Sequence, residues 1–361
     1  MERALEGVRV LDMTRLFPGG YLTTVLAQLG AEVVKLEPPG GDPAREEEPR
    51  RQGESYYHWA INRGKKSIVI DLKQEPGRDV VLSLVRQADV FLENFRPGVA
   101  ERLGVDAERL RRVNPQLIYV SLNGFPEDDH RSARGSHDLN YLADTGVLDL
   151  LGPEHGAPAL LLSDLAGSMW GLVTILSLLY QRRVAGHPGQ PARVVFAEAI
   201  RHWAVLQDAL FRFAGETRFP ILTWPSYHVY RAADGEYLAV AALEPQFWER
   251  FCTTMGRPDW LSRRRDPAWV PVVQEVIGGR PSAYWEDLFA PVDACVTVVR
   301  RWADAARRRP DPDLPRPNQW PTAVPETLAP PGLGEHTAEL LARAGWDAEG
   351  RRRLRETGAV G

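Results

Sequence analysis

Short apolar runs alternate with longer segments of helical pattern over the first third of the chain. The apolar runs are Val8 to Met13, Val33 to Leu36, Ser67 to Leu72, Val90 to Leu92 and Leu117 to Leu122. Runs of this length, bounded by polar residues, are typical of buried strands. Because strands that alternate with helices pair in parallel and are covered by helices on both faces, the pattern predicts an α/β domain built on a parallel sheet.

The pattern changes at about Tyr227. Two strand-like runs, Tyr227 to Arg231 and Glu236 to Ala241, are joined through Asp234-Gly235, which is a strong hairpin signal. Farther on, 307–331 are rich in proline and arginine, which excludes regular helices and central strands, and 335–354 return to a helical pattern. We therefore expect a second, smaller domain followed by an extended surface connection.

The composition is that of an ordinary globular protein. With 361 residues, of which 44% are hydrophobic and 25% are charged, the chain can bury a large core and is long enough for two domains. A net charge of -4 gives no global basic field that would attract nucleic acid. The two cysteines cannot form a disulfide framework, and no Cys and His residues have zinc-like spacing. We therefore expect a reducing compartment, no metal and no nucleic-acid partner.

The apolar segments do not predict a membrane protein. The longest one, Ala157 to Tyr180, is interrupted by Ser163, Asp164, Gly167 and Ser168, which argues against a membrane span. The amino terminus leads from Met1-Glu2-Arg3 into a strand pattern and has no signal-peptide pattern. These features predict a cytoplasmic protein without a membrane partner.

The turn after the first strand carries no dinucleotide signature. Arg15 to Gly20 lacks the spaced glycines through which a pyrophosphate approaches a helix terminus. No phosphate-binding P-loop sequence occurs either. The sequence therefore predicts no nicotinamide or flavin cofactor.

Two short polar segments carry the candidate chemistry. Ser136-His137-Asp138 precedes one apolar stretch, and Ser163-Asp164 lies inside another. An imidazole and a carboxylate that face each other across a substrate carbon can remove a proton on one side and deliver one on the other. Each segment is also compatible with a helix start, in which Ser136, Asp138 or Asp164 caps the backbone and His137 is solvated.

Ordered landmarks run through almost the whole chain. They are Leu5 to Val10, Leu29 to Lys35, Asn62 to Ser67, Ile70 to Lys73, Glu93 to Val99, Asn114 to Tyr119, Glu244 to Phe247, Asp293 to Thr297 and Gly334 to Thr337. With these landmarks the chain resembles the class III coenzyme A transferase (CaiB/BaiF) superfamily, and within it most closely the alpha-methylacyl-CoA racemases.

The resemblance implies an architecture that periodicity does not show. It implies a large CoA-binding Rossmann-like domain at 1–190, completed by 332–361, a linker helix region at 191–225, a small α+β domain at 226–306 and a proline-rich return linker at 307–331. Two such chains form an interlocked homodimer. Each active site then lies between the large domain of one chain and the small domain of the other.

The resemblance also implies a reaction. His137 and Asp164 become the two acid/base groups of an acyl-CoA racemase or epimerase, which inverts the alpha carbon of a 2-methylacyl-CoA thioester through an enolate. Glu244 matches the carboxylate that supports the catalytic histidine, and it is equally suited to cap the helix that begins near Pro245. No cofactor is implied beyond the coenzyme A of the substrate.

The coenzyme A contacts are implied at named positions. They are Ile70, Asp71, Leu72, Lys73, Arg96, Ser136 and Tyr141. The chain departs from the racemase pattern twice. It has Pro38 near a position where many racemases have a nucleotide-contacting arginine, and the loop 124–136 is more acidic and carries Ser136 in place of a usual glycine.

Two other functions stay open. Transferases of the superfamily use an aspartate at the position of Asp164 as a nucleophile, which moves CoA between carboxylic acids through an aspartyl-CoA thioester. A non-catalytic acyl-CoA binding protein would keep the nucleotide site without the chemistry. The pair His137 and Asp164 favours proton transfer over both.

Overall fold

The computed structural model describes residues 3–307 and 329–361. The strands of these residues are β1 (Arg9–Asp12), β2 (Glu32–Glu37), β3 (Arg50–Arg51), β4 (Glu54–Ser55), β5 (Lys66–Val69), β6 (Val90–Glu93), β7 (Ile118–Asn123), β8 (Pro191–Val195), β9 (Tyr227–Arg231), β10 (Tyr237–Ala241) and β11 (Val296–Val298). The α-helices are α1 (Leu16–Gln28), α2 (Tyr56–Asn62), α3 (Glu75–Val85), α4 (Val99–Leu103), α5 (Ala107–Val113), α6 (Asp138–Asp144), α7 (Val147–Leu151), α8 (Leu162–Ala185), α9 (Phe196–Trp203), α10 (Val205–Ala214), α11 (Pro245–Thr254), α12 (Val270–Ile277), α13 (Ser282–Phe289), α14 (Trp302–Arg307), α15 (Thr337–Arg343) and α16 (Ala348–Glu356).

A six-stranded parallel sheet forms the centre of the first unit, which comprises Met1–Val205 and Asp313–Gly361. Its strand order is β5-β2-β1-β6-β7-β8. The strand order reverses between β1 and β6, and in open α/β sheets ligands bind beyond the carboxyl ends of the strands at such a point. The predicted α/β class with a parallel sheet is confirmed.

Neighbouring residues of the central strands face opposite layers of the core. On β1, Val10 packs toward α1 and α8, whereas Leu11 packs toward α3 and α15. Val33 and Val34 repeat this alternation on β2. Because both faces of each strand are covered, the strands have continuous apolar sequences, which is the pattern from which they were predicted.

Strand β8 is the strand of the six-stranded sheet that the sequence pattern did not reveal. Pro191–Val195 pairs in parallel with β7 at the edge of the sheet. It begins with a proline and contains Arg193, and an edge strand tolerates both. The predicted boundary after residue 190 is therefore wrong, because 191–195 belong to the sheet and the first unit continues to Val205.

The second unit, Leu206–Pro312, contains a three-stranded antiparallel sheet in the order β11-β10-β9. The predicted hairpin is present, since Leu238 pairs with Tyr230 across it. Its core is rich in stacked aromatic rings, among them Trp248 and Phe289 against Phe251. Of the return linker predicted at 307–331, the part 308–328 lies outside the described residues.

The C-terminal segment returns to the first unit. The helical pattern at 335–354 corresponds to two helices, α15 and α16, separated by a turn. Leu340 and Leu354 are buried in the core beneath the sheet, and Val360 forms a bridge with Ile70 after β5. This segment therefore completes the large unit, with β5 and α3 as its neighbours.

Candidate active site

His137 lies at the start of α6, on the carboxyl side of β7. It is the N-cap residue of that helix, with an extended backbone and an exposed side chain. Its backbone N–H donates to Asn140 Oδ1 at 3.0 Å. The Asn140 side chain therefore folds back over the first turn and closes the helix end. The sequence interpretation of this segment as a helix start is correct, with His137 itself as the N-cap residue.

Asp138 joins the two polar segments. Its carboxylate is buried, and Oδ1 accepts hydrogen bonds from the backbone N–H groups of Ser163 at 2.6 Å and Asp164 at 3.0 Å. The residue after His137 therefore caps the amino terminus of α8, the helix that carries Asp164. This contact brings the two helix starts together, as the predicted His/Asp pair requires.

Asp164 is not a capping residue. The N-cap of α8 is Leu161, and Asp164 is the third residue of the helix. Burial, and then the charge of Asp138, raises the pKa of the Asp164 carboxyl to about 7. Within the described part of the chain its carboxylate oxygens accept no hydrogen bond, so no donor stabilises the ionised form. The side chain can therefore either donate or accept a proton near neutral pH.

The charge of Asp164 acts on two tyrosines. Burial and the charge of Asp164 raise the pKa of Tyr57, and burial with the same charge raises the pKa of Tyr141 to about 12. Tyr57 packs edge-on against Phe17. The Ser168 hydroxyl lies 2.6 Å from Asp164 O and 2.7 Å from Pro18 O, so it fixes the start of α1 beside α8.

Tyr57 is a residue that sequence reasoning missed. Its local signal is weak, since it is the second of two tyrosines after Ser55, the residue that caps α2. Only the packing of α2 on α1 brings it toward Asp164.

Two features at the start of α8 serve the fold. The amides of Ser163 and Asp164 cannot stabilise an enolate oxygen, since Asp138 already accepts from both. Gly167 does not open space for a ligand, because a Cβ atom there would lie 1.9 Å from Cδ1 of Phe196. Gly167 instead permits the close approach of α8 and α9.

A cavity of about 480 Å³ opens at the carboxyl ends of β1, β2, β5 and β6. The four predicted CoA residues Ile70, Asp71, Leu72 and Lys73 line it. They share the wall with Leu36 to Pro39, with Thr14 and Arg15, and with Phe95. The structure thus gathers four of the seven predicted coenzyme A contacts around a single cavity.

The other predicted contacts lie elsewhere in the first unit. Arg96 lines a separate cavity of about 240 Å³ together with Glu93 and Arg193. Its guanidinium lies against Gly135, where a Cβ atom would be 3.0 Å from Nη2. Tyr141 is buried, and its hydroxyl donates to Ser136 O at 3.1 Å. The structure gives Tyr141 a role in shaping the loop before His137, and contact of these residues with coenzyme A stays a prediction.

Two lysines before and at the start of β5 make their contacts within the fold. Lys65 is buried and lies 3.2 Å from Asp12 Oδ2 and 2.7 Å from Thr23 Oγ1. Lys66 forms ion pairs with Glu32 and Glu339. Both side chains stabilise the fold, which leaves Arg15 and Lys73 as the cations of the larger cavity.

Glu244 belongs to the second unit. It is the N-cap residue of α11, and its side chain forms no capping hydrogen bond. The sequence offered two roles for Glu244, and capping of the helix by its side chain is wrong. Its support of the catalytic histidine stays a prediction.

Comparison with known proteins decides the family. A family model described as CoA-transferase family III matches residues 5–337. Alpha-methylacyl-CoA racemase from Homo sapiens is 32% identical over 96% of this chain and 94% of its own length. The chain belongs to CoA-transferase family III. A relative named as a CoA-transferase, succinyl-CoA:mesaconate CoA-transferase from Haloarcula hispanica, is 31% identical over 95% of this chain and 96% of its own length.

The solved structures agree with the sequence comparison. The crystal structure of Rv3272 from Mycobacterium tuberculosis matches with a TM-score of 0.82 and 28% identity, over 94% of this chain and 99% of that one. The α/β architecture is therefore that of CoA-transferase family III. Since the family contains both racemases and CoA-transferases, its members are enzymes of acyl-CoA chemistry, and the site must distinguish the two reactions.

Proposed function

We propose that the protein is an acyl-CoA racemase that inverts the alpha carbon of a 2-methylacyl-CoA thioester. The observation that carries the proposal is the contact between Asp138 and the start of α8, which joins the helix start of His137 to that of Asp164. Two proton-transfer groups at adjoining helix starts form the arrangement that a two-base inversion needs.

The reaction removes one proton from the alpha carbon and adds another, so the composition of the substrate is unchanged and only its configuration is inverted. Neutral His137 removes the alpha proton, and the electrons of the broken C–H bond move into the thioester as an enolate. Protonated Asp164 then gives its proton to the opposite face of the same carbon. The reverse direction exchanges the two roles.

The raised pKa of Asp164 favours proton transfer over CoA transfer. A nucleophilic aspartate acts as the ionised carboxylate, and interactions that stabilise this form lower the pKa of the group. Here burial and Asp138 act in the opposite direction and bring the pKa to about 7. Such a group exchanges protons readily at neutral pH.

We further propose that two chains form an interlocked homodimer. Helix α10 has no buried residue, and the side chains of Leu206, Phe211 and Phe213 are 64%, 59% and 93% exposed. Exposed apolar surface of this extent marks an interface. In this assembly the partner's small domain would bring its copy of Glu244 to His137. Analytical ultracentrifugation should give a dimer mass, and a monomer mass at micromolar concentration would contradict the assembly.

Helix α8 fits the same assembly. By length and composition it could cross a membrane. Its first turn is bonded to Asp138, and it packs against α1 and α9. The exposed residues Met169, Val173 and Val184 lie outside these contacts. We assign them to the dimer interface, and we propose a cytoplasmic protein that has neither a membrane nor a nucleic acid as partner.

The deciding experiment is alpha-proton exchange in deuterated water. A panel of single-enantiomer 2-methylacyl-CoA thioesters is incubated with the protein in the absence of an acceptor acid. We expect deuterium at the alpha carbon, detected by mass spectrometry, together with loss of chirality. His137→Ala should abolish both signals. If no thioester exchanges and CoA moves once carboxylic acids are added, the protein is a transferase and the proposal is wrong.

A further inference from the structure

The loop 124–136 leads from β7 to His137, and its acidic residues have no part in the proposed proton transfer. One of them, Asp129, is bound by Arg131. Arg131 Nε donates to Asp129 Oδ1 at 2.8 Å, and Nη2 donates to Oδ2 at 2.6 Å. These hydrogen bonds hold the pKa of the Asp129 carboxyl well below its usual range. The pair therefore stays ionised at neutral pH, and its two contacts fix the plane of the guanidinium as well as its position.

The same guanidinium reaches the far end of α6. Its Nη1 donates to Asp144, the last residue of that helix. A carboxylate there faces the negative end of the helix dipole, and a neighbouring cation offsets this repulsion. Because His137 directly precedes α6 and Asp144 ends it, the pair between Arg131 and Asp144 closes the segment 131–144 into a ring. His137 lies within this 131–144 ring.

One face of the Arg131 guanidinium is covered by an aromatic ring. Its carbon lies 4.3 Å from the centre of the Phe125 ring, at cation–π distance. Phe125 is buried and packs edge-on against Tyr141, with the ring centres 5.4 Å apart. Tyr141 in turn donates to the carbonyl of Ser136, the residue before His137. A continuous series of contacts thus leads from Arg131 to the backbone next to His137.

The start of α6 is held independently of Arg131. Asp138 accepts hydrogen bonds from the amides of Ser163 and Asp164, so α8 fixes this end. His137 therefore lies between two fixed points, α8 on one side and the ion pairs of Arg131 on the other. The side chains of these ion pairs are partly exposed, and exposed ion pairs contribute little to the stability of a protein. What the pairs of Arg131 provide is local placement of the backbone.

We propose that Arg131 is a positioning residue for His137, which it aligns with the alpha carbon of the substrate by closing the 131–144 ring. The inference rests on His137 as the proton acceptor of the proposed function. Arg131 acts through the backbone of the ring and does not touch the reacting atoms. A displacement of about 1 Å at a catalytic group can lower a rate about 100-fold. Loss of Arg131 should therefore reduce turnover far more than it reduces stability.

Alpha-proton exchange and urea unfolding of the same full-chain variants test this difference. Arg131→Gln should lower kcat about 10- to 100-fold, with a smaller change in KM and little change in the free energy of unfolding. Arg131→Lys keeps the charge without the two-point contact and should recover part of the rate. Arg343→Gln is the matched control. It breaks a two-point pair of similar exposure, with Glu32, and should exchange like the wild type.

Asp144→Asn tests the ring itself. This change removes the pair that closes the ring and leaves the pair between Arg131 and Asp129 in place. It should also lower kcat. Because both changes open the same ring, the double variant Arg131→Gln/Asp144→Asn should be no slower than Arg131→Gln alone. Two losses that multiply in the double variant would overturn the ring as their common cause.

Hydrogen exchange of the backbone amides gives a readout that does not use catalysis. Amides of 132–141, among them the His137 amide that donates to Asn140, should exchange faster in Arg131→Gln, and those in the middle of α8 should keep their protection. Wild-type kcat in Arg131→Gln, an equal loss in Arg343→Gln, or unchanged protection of 132–141 would overturn the inference. Faster amide exchange at 132–141 in a protein without alpha-proton exchange would support the ring and reject the racemase.

Discussion

Asp12 and Asp164 are carboxyl groups of the same unit with opposite surroundings. Asp12, at the end of β1, is fully buried and lies 3.2 Å from Lys65 Nζ and 3.6 Å from Lys35 Nζ. Burial alone would raise its pKa, but the two lysines and the Thr14 and Thr23 hydroxyls bring it down to about 2. Asp164 has no such partners, and its pKa rises to about 7.

The comparison shows that charged and hydrogen-bonding partners, more than burial, decide the protonation state of an interior carboxyl. The Asp12 cluster joins β1, β2 and α1 and remains ionised, so it serves the fold. At the start of α8 the available donors are taken by Asp138, and the neighbouring Asp164 is left to change its protonation state. One carboxyl thus stabilises the fold, and the other is able to change its protonation state near neutral pH.

The largest effect is expected from Asp164→Asn. The amide has nearly the same size but can neither accept nor deliver a proton, so alpha-proton exchange should fall by about 10²- to 10⁴-fold. Exchange by mass spectrometry and unfolding by urea are measured on the same samples. Ser163→Ala, one residue earlier in α8, is the control and should retain most of the exchange. An Asn variant that exchanges like the wild type would contradict the assignment of Asp164.

Asp12→Asn should show the reverse profile. Removal of this charge leaves Lys35 and Lys65 buried without one of their partners, and such a loss costs about 3–5 kcal/mol. The free energy of unfolding from urea titration should fall by that amount. The exchange rate per folded molecule at low temperature should change little in comparison. A variant of wild-type stability would show that the cluster does not support the fold.

Most strands of the central sheet could be predicted from sequence, but the ion pairs of Asp12 could not. Five strands of the six-stranded sheet are predictable because their sequences are continuously apolar and largely buried. Strand β8 was missed because, unlike the other edge strand β5, it has only one buried residue and begins with a proline. The Asp12 cluster could not be predicted, because Asp12, Lys35 and Lys65 are far apart along the chain and meet only in the folded sheet.

The candidate site shows the same limit. The segments around His137 and Asp164 stood out as polar breaks next to apolar runs, and the resemblance assigned their roles. The hydrogen bonds from the amides of α8 to Asp138 follow from the packing of two helices, which no local pattern encodes. Tyr57 reaches the site in the same way, through the packing of α2 on α1.

The pH dependence of stability should separate the two carboxyls further. The folded pKa of Asp164 is about 7, above its unfolded value of about 3.8, so ionisation of this group costs stability above pH 7. The cost is relieved as the pH falls from 7 toward 4. Between pH 8 and pH 5 the wild type should therefore gain on the order of 2 kcal/mol relative to Asp164→Asn. Equal gains in both proteins, measured by urea titration, would contradict the raised pKa.

The smallest and most specific effect is expected from Asp138→Asn. The Asn side-chain oxygen can still accept from the amides of Ser163 and Asp164, so the cap is kept while the charge is removed. Because the Asp138 charge raises the pKa of Asp164, the Asp164 limb of the kcat/KM profile should move to lower pH, by on the order of one unit.

Asp138→Ala separates the charge of Asp138 from its capping role. It removes the cap as well, so it should produce a similar pH shift and, in addition, lose about 1 kcal/mol of stability. A pH profile that stays in place in both variants would mean that Asp138 acts on α8 alone. The protonation state of Asp164 would then be set by burial, and the contrast with Asp12 would rest on the lysines only.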